Sequence, residues 1–267
     1  MNKKGFRYYI FKACLKTGNL FKLLGDFFCE LPVAVIPQKN LTDITDIYFN
    51  HKKRVAHWSK NSSSGLSVYE KEFVERYNVT DGRFLVIASG SGREAFGIAE
   101  KCPDVTAIDV SEGLIRFSRE RAERENVKNT DFRCVSMHEF KPEKKFDYIF
   151  FSGRSYGYIP TRRRRIEFLK KLKTWMNPEG KFLLSFVMQG PLRGKRRYFY
   201  PIYKALAYLA FGNREIEKGD IMMGEEWHHV HTSDEEITSE VKQAGFEIEK
   251  FGKEKGTYLF LKPKNVE

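Results

Sequence analysis

Between residues 84 and 188 the sequence alternates short apolar segments with segments of helical periodicity, and this alternation constrains the fold more than any other feature. The apolar segments are Phe84–Ala88, Val105–Asp109, Thr130–Val135, Phe146–Ser152 and Phe182–Met188. Most of their residues are apolar, which is typical of strands whose two faces are both covered. The pattern predicts βαβ units, and hence an α/β fold in which helices cover both faces of a doubly wound, mainly parallel sheet.

A glycine-containing turn follows the first predicted strand. Gly90, Gly92 and Ala95 match the pattern G-x-G-x-x-G/A, and the next predicted strand ends in Asp109, seventeen residues after Gly92. Glycines let a ligand approach the backbone, the start of the next helix offers N–H groups, and an acid at that position can accept ribose hydroxyls. Asp109 could instead cap the following helix, although Ser111 is better placed for capping. The turn therefore predicts a site for a dinucleotide or for S-adenosylmethionine.

The chain from about Tyr69 to Pro263 resembles the class I, seven-stranded S-adenosylmethionine-dependent methyltransferases. The resemblance rests on the segments "FLVIASGSG", "AIDVSEGLI", "FDYIFFSG", "MNPEGKFLLSF" and "HTSDEEITSEVKQAGFEIEKF". The last segment is similar to the final helix and the antiparallel hairpin that close the family's sheet, whereas a dinucleotide dehydrogenase would need further parallel strands. The resemblance implies a Rossmann-like sheet of seven strands with a C-terminal antiparallel hairpin. It also implies S-adenosyl-L-methionine as cofactor and methyl transfer as the reaction.

The family's motifs, carried onto this sequence, imply a set of cofactor-binding residues. The turn would face the methionine moiety, Asp109 would bind the ribose, and Val110 and Met137 would flank the adenine. The full set is Ala88, Ser89, Gly90, Gly92, Asp109, Val110, Ser136, Met137 and Ser152.

Three positions depart from the family's pattern. Val86 stands where the family usually has an acid, and Ala88 replaces the first glycine. Ser136 replaces a frequent acid that holds the adenine amine, although a serine can still accept a hydrogen bond. These departures keep a cofactor-binding pseudoenzyme or interaction protein as an alternative to an enzyme.

Substrate contacts are predicted directly after the fourth strand, at Arg154, Tyr156 and Tyr158, where open α/β sheets bind ligands. Catalysis in this family is mostly alignment, aided by a general base where an O–H or N–H is methylated. The sequence assigns no catalytic residue, and the candidates are Tyr156, His228 and His231. No metal is expected, because no carboxylate or cysteine pattern accompanies the histidines of "WHHVHT". The sequence contains neither an "NPPY"-like tetrad nor a Pro-Cys nucleophile, which argues against amino-methylating DNA enzymes and cytosine C5 enzymes.

The predicted organisation is a helical N-terminal extension or lid at residues 1–66 and a methyltransferase domain at residues 67–267. The domain carries an inserted substrate cap at residues 189–226. In the extension we expect a helix that breaks near Gly18, followed by one helix around "TDIYFNHKKRVAHWSK". In the cap we expect one aromatic helix and then an irregular segment, "REIEKGDIMMGEEW". Residues 1–30 include six basic and two acidic residues, so this segment either packs on the domain or lies on an anionic membrane.

The formal net charge of +12 indicates an anionic partner or extensive solvated basic faces. The basic run Arg162–Arg165 and the cluster Arg193, Lys195, Arg196 and Arg197 suit either nucleic acid or lipid headgroups. A solvated helix face also explains the run Arg162–Arg165. The second cluster, together with the basic N-terminus, favours a small or lipid-linked acceptor over the alternative of RNA, and we expect the methyl group to go to oxygen. The four cysteines are widely spaced and no long apolar run occurs, which predicts a cytoplasmic protein. Association with an anionic membrane surface stays open, and the oligomeric state is not indicated.

Overall fold

The computed structural model describes residues 3–60, 62–189 and 195–264. Its strands are β1 (Arg83–Ile87), β2 (Asp104–Asp109), β3 (Thr130–Cys134), β4 (Phe146–Phe151), β5 (Met176–Phe186), β6 (Asp220–Met223), β7 (Glu226–His229), β8 (Phe246–Gly252) and β9 (Thr257–Pro263). Its helices are α1 (Lys3–Glu30), α2 (Pro32–Val35), α3 (Gln38–Asn50), α4 (Lys52–Lys60), α5 (Val68–Arg76), α6 (Arg93–Ala99), α7 (Glu112–Arg124), α8 (Arg162–Thr174), α9 (Lys195–Leu209) and α10 (Asp234–Gln243). A short 3₁₀ turn spans Ser155–Tyr158.

Within the described chain, the main sheet has seven strands in the order β3-β2-β1-β4-β5-β9-β8. The pairs from β3 to β5 are all parallel, and β9 runs antiparallel to both β5 and β8. This arrangement confirms the predicted α/β fold and its closing hairpin. In the sheet, β1 lies between β2 and β4. The chain adds β2 and β3 on one side of β1 and then continues with β4 on the other side, so the strand order reverses at β1. Ligands of open α/β sheets bind at such a switch point, beyond the carboxyl ends of the strands.

Two apolar layers cover the sheet, as near-continuous apolar strands require. One layer packs α8 and α10 against β4, β5 and β9, and the other packs α5, α6 and α7 against β1 and β2. Val86, where the family usually has an acid, is 1% exposed and belongs to the second layer. The carboxyl ends of β1, β2 and β4 are thereby held in a fixed arrangement on which a site can form.

The N-terminal segment is helical, but its breaks differ from those predicted. Helix α1 continues through Gly18 without interruption, so the predicted break there is wrong. The single helix expected around residues 45–60 is instead two helices, because His51 adopts an extended backbone conformation between α3 and α4. His51 is neither a glycine nor a proline, so no local signal marks this boundary.

The inserted segment contains the expected aromatic helix, α9, packed against α2. The part expected to be irregular holds the antiparallel pair β6 and β7, joined by a turn at Gly224, so that expectation is wrong. Arg193 of the predicted basic cluster lies outside the described residues.

Candidate active site

A cavity of about 620 Å³ opens at the carboxyl ends of β1, β2 and β4. Its walls include the turn after β1, the end of β2, the segment after β3 and the turn after β4. Helix α3 contributes Thr42, Thr45, Asp46 and Phe49, and α4 contributes Trp58. The N-terminal helices therefore form part of the wall of this cavity.

Asp109 ties the turn after β1 to the end of β2. Its carboxylate accepts hydrogen bonds from the backbone N–H of Gly90 and of Ser111, both at 2.8 Å. Burial raises the pKa of the Asp109 carboxyl. The backbone N–H of Val110 also bonds this carboxylate. A carboxylate has about four lone-pair directions, so it can still accept from a ligand in the cavity. Ser111 in turn caps α7 by accepting from the N–H of Leu114, which leaves Asp109 free of that duty, as expected.

The turn after β1 has an unusual backbone. Ala88, Gly90 and Gly92 all have positive φ, at 55°, 52° and 81°. A Cβ at Gly92 would lie 2.9 Å from the ring of Phe96, so only glycine fits there. Gly92 therefore determines the backbone conformation of the turn and does not line the cavity. Ala88 carries a side chain in the left-handed region, which costs about 1 kcal/mol.

Ser89 and Gly90 offer the ligand both a polar group and open space. The Ser89 hydroxyl is buried, lines the cavity and has no hydrogen-bond partner among the described residues. No atom lies within 4 Å of where a Cβ of Gly90 would be. Buried polar groups are normally paired, so an unpaired hydroxyl beside open backbone fits a site that holds a polar ligand.

The predicted adenine-binding residues also reach the cavity. Val110, Ser136 and Met137 line it together with Ile108 and Val135. They combine apolar surface with one hydroxyl, a lining that suits a purine ring with a polar edge. The Ser136 hydroxyl accepts a hydrogen bond from the N–H of His138 at 3.2 Å.

Sequence reasoning missed Glu94, a buried acid of the cavity wall. Its carboxylate accepts a hydrogen bond from the Ser152 hydroxyl at 2.8 Å and pairs with Arg93, which also bonds Glu70. Burial raises the pKa of the Glu94 carboxyl. Ser152 itself does not line the cavity, so the structure connects it to the site through Glu94. The signal in the sequence was an acid two residues after the glycine turn.

A second group of polar residues lines the cavity near the turn after β4. The Tyr158 hydroxyl donates to the Glu226 carboxylate at 2.7 Å, and the Phe49 ring packs edge-on against Tyr158. Burial raises the pKa of the Glu226 carboxyl. The Tyr158 hydrogen bond and nearby arginines act in the opposite direction and lower it. The guanidinium of Arg154 lines the same region and makes no hydrogen bond to any described residue. Sequence reasoning found Arg154 and Tyr158 but missed Glu226, which belongs to the strand pair not expected there.

The three candidate catalytic residues do not line the cavity. Tyr156 and His231 are fully buried, stack on each other and both bond the Glu240 carboxylate, at 2.7 and 3.2 Å. His228 donates from Nε2 to the carbonyl of Arg154 at 2.9 Å, and burial lowers its pKa to about 4. A neutral His228 therefore holds the turn that carries Arg154, while Tyr156 and His231 form part of a buried network with Arg165.

His229 has several carboxylate neighbours, contrary to the expectation that no carboxylate pattern accompanies these histidines. Asp220 lies 2.8 Å from its Nδ1 and Glu236 lies 3.1 Å from its Nε2. Glu217, Asp220 and His229 each offer an atom within 4.8 Å of the others, a spacing that a metal ion could bridge. Arg165 already supplies positive charge at 3.1 Å from Glu217. The absence of a metal stays a prediction.

Comparisons with known proteins agree with this geometry. Residues 84–180 match the family described as methyltransferase domain. The chain is 27% identical over 199 residues to the ubiquinone/menaquinone biosynthesis C-methyltransferase UbiE of Rickettsia akari, covering 67% of this chain and 74% of that protein. It is 28% identical over 106 residues to the malonyl-[acyl-carrier protein] O-methyltransferase of Bacillus cereus, covering 39% of this chain and 35% of that protein. A structure of an S-adenosylmethionine-dependent methyltransferase from Clostridium acetobutylicum superimposes with a TM-score of 0.55 at 16% identity, covering 82% of this chain and 97% of that chain.

The sheet order and the cavity at its switch point define a class I, Rossmann-like fold. Residues 84–180 match a methyltransferase domain, and the chain is similar to S-adenosylmethionine-dependent methyltransferases of this class. Among the described residues, no helix is both long and apolar enough to cross a membrane.

Proposed function

We propose that this enzyme transfers a methyl group from S-adenosylmethionine to an oxygen of a small or lipid-linked acceptor. The observation that carries the proposal is the Tyr158–Glu226 pair, which lies with the unpaired Arg154 in the same cavity as Asp109. One cavity thus offers a nucleotide-type half and a half suited to an acceptor that has a hydroxyl and an anionic group.

The residues of the first half fit the cofactor group by group. Asp109 can still accept a hydrogen bond from the ribose, and Val110 and Met137 offer apolar surface to the adenine. Glu94, beside its partner Arg93, is an acid of the cavity wall that can face the α-ammonium group of the methionine moiety. The bound cofactor supplies a sulfonium methyl that is already activated toward a nucleophile.

The residues of the second half fit proton removal and orientation. A hydroxyl acceptor loses its proton as its oxygen is methylated, and a carboxylate with a raised pKa in a cleft suits general-base work. Glu226 has such a carboxylate, held in place by the Tyr158 hydroxyl. Arg154 can pair with a carboxylate or phosphate of the acceptor. Phe49, whose ring packs against Tyr158, offers apolar surface to the rest of the molecule.

The two relatives support the acceptor class without choosing the atom, since one is named as a C-methyltransferase and the other as an O-methyltransferase. The choice of oxygen rests on Glu226. Ubiquinone and menaquinone in the first name, and an acyl-carrier protein in the second, are consistent with acceptors that have a long apolar part.

The test supplies methyl-tritiated S-adenosylmethionine to the enzyme with three extracts, of lipids, of small polar metabolites and of total RNA. We expect label in the lipid or small-molecule extract, in an alkoxy or ester linkage. The Glu226→Gln variant should lose this labelling and keep its affinity for S-adenosylmethionine, whereas Glu225→Gln, a change at the exposed neighbouring residue, should label normally.

The alternatives have distinct outcomes. Label in RNA alone would contradict the acceptor class and favour the RNA methyltransferase. Cofactor binding without label in any extract would favour the pseudoenzyme. Unimpaired labelling by Glu226→Gln would refute the role of Glu226 as base.

A further inference from the structure

Helix α1 carries large apolar side chains that the rest of the described chain does not cover. Phe11, Phe21 and Phe28 are 58%, 68% and 63% exposed, and Leu20 and Leu24 are 54% and 44% exposed. Soluble monomers rarely expose contiguous apolar patches of this kind unless the patch binds something. A helix of 28 residues with this surface therefore points to a binding partner.

The end of α9 exposes a second apolar group. Leu209 and Phe211 are 78% and 77% exposed. Phe211 also has a φ of 53°, and a bulky residue in that region is strained by about 1 kcal/mol where a glycine would not be. The guanidinium of Arg214 lies 5.4 Å from the centre of the Phe211 ring. The Phe211 ring is thus exposed to water beside a cation, at a residue whose backbone conformation is also unfavourable.

One packing contact joins α1 to α9. The Phe27 ring of α1 stacks on Tyr203 of α9 at 5.2 Å, and the Tyr203 hydroxyl donates to the Phe27 carbonyl at 3.0 Å. Phe28 adjoins Phe27, and the N–H of Asn213 donates to the Ala34 carbonyl just beyond α1. We define the α1–α9 surface by its exposed residues, which are Phe21, Leu24, Phe28, Leu209 and Phe211.

The charge of α1 selects the occupant of this surface. Residues 3–30 contain six basic side chains and two acidic ones, and both acids, Asp26 and Glu30, lie in the last five residues. Two copies of such a helix would repel each other if they packed in parallel, and each carries an excess of four positive charges. A bilayer with anionic headgroups attracts the lysines and accepts aromatic rings at its interface.

We propose that the α1–α9 surface docks this enzyme on an anionic lipid bilayer. The aromatic and leucine side chains enter the boundary between headgroups and acyl chains, and Lys16 and Lys22 contact the headgroups. The helix lies along the bilayer rather than across it, in keeping with its interrupting lysines. This inference concerns a surface outside the cavity and stands independently of the proposed acceptor.

Vesicle flotation with the full chain tests the proposal. We expect the protein to float with vesicles of phosphatidylcholine and phosphatidylglycerol and to remain unbound with phosphatidylcholine alone. The double variant Phe21→Gln, Phe211→Gly should bind at least about tenfold more weakly, because two exposed rings no longer enter the bilayer. Glycine suits the backbone at residue 211, so this variant should fold at least as well. Val68→Gln, which removes a 55% exposed apolar side chain from α5, is the matched control and should bind normally.

Charge and alternative occupants are tested with the same material. Neutralising Lys16 and Lys22 to glutamine should weaken binding roughly fivefold per lysine. Failure of the wild type to float with anionic vesicles would overturn the proposal. So would a wild-type dimer in light scattering that the double variant converts to a monomer, since the occupant would then be a second copy. Calorimetry with S-adenosylmethionine should be the same for wild type and double variant, so this proposal and the proposed function fail separately.

Discussion

His229 should make the stability of this enzyme fall as the pH rises above neutrality. Its side chain is fully buried, with Asp220 at 2.8 Å from Nδ1 and Glu236 at 3.1 Å from Nε2. Only the imidazolium can donate to both carboxylates, since a neutral ring turns one lone pair toward a carboxylate. These hydrogen bonds outweigh burial and raise the pKa of His229 to about 8.

The magnitude follows from the difference between folded and unfolded states. The ordinary pKa of 6.5 applies in the unfolded chain, and the folded value is about 8. A raised pKa contributes stability that is complete below pH 6.5 and is lost as the pH rises through 8. At 1.36 kcal/mol per pKa unit, the contribution is about 2 kcal/mol.

The groups that face His229 do not reverse this trend. His229 lowers the pKa of Glu236 to about 2. Burial raises the pKa of Asp220. Arg165 and Glu217 also face the ring, and burial lowers the pKa of His231. The raised pKa of Asp220 acts in the same direction as that of His229, because both groups bind a proton more tightly in the folded protein.

Thermal unfolding at pH 6, 7, 8 and 9 provides the assay. For a chain of this size, 2 kcal/mol corresponds to a shift in Tm of about 4–8 °C. The wild type should lose that much between pH 6.5 and 8.5, and His229→Gln should start lower and lose little. His57→Gln, at an exposed position of α4, should follow the wild type. An equal pH dependence in His229→Gln would refute the reasoning.

Two further predictions concern the turn after β4. Gly157→Ala should destabilise the fold by roughly 3 kcal/mol in urea unfolding, because its Cβ would lie 2.1 Å from the His228 ring. Gly25→Ala, which has open space around its Cβ, should be neutral or slightly stabilising. Equal effects of the two substitutions would contradict this prediction. Tyr158→Phe should raise the pKa of Glu226 by removing the hydrogen bond that lowers it. The acidic limb of the pH–rate profile should therefore move to higher pH. An unmoved limb would contradict the Tyr158–Glu226 pairing.

The sheet was predictable because its information is local. Short apolar strands, helical segments and a glycine turn recur along residues 84–186, and each indicates its structure without reference to the rest of the chain. The positions of Asp109 and Ser111 follow from the same pattern, since one ends a strand and the other caps a helix.

The proposed acceptor half of the cavity was only partly predictable because it depends on distant packing. Glu226 lies on a strand that pairs with β6, and it meets Tyr158 across 68 residues of sequence. Neither periodicity nor a motif marks that contact. Tyr156 and His231 were candidates because of residue type, yet their burial beside Glu240 depends on how α8 and α10 pack. Residue type indicates possible chemistry, and tertiary packing decides which groups reach the cavity.

The central claim, that the Asp109 half of the cavity holds the cofactor, is tested most directly by calorimetric titration with S-adenosylmethionine. The wild type should bind, and Asp109→Ala should bind about 100-fold more weakly, because each hydrogen bond to a charged group contributes about 1.5–3 kcal/mol. Asp104→Ala, at the exposed start of the same strand, should bind like the wild type. Equal affinity in Asp109→Ala and wild type, with the fold intact by circular dichroism, would contradict the account.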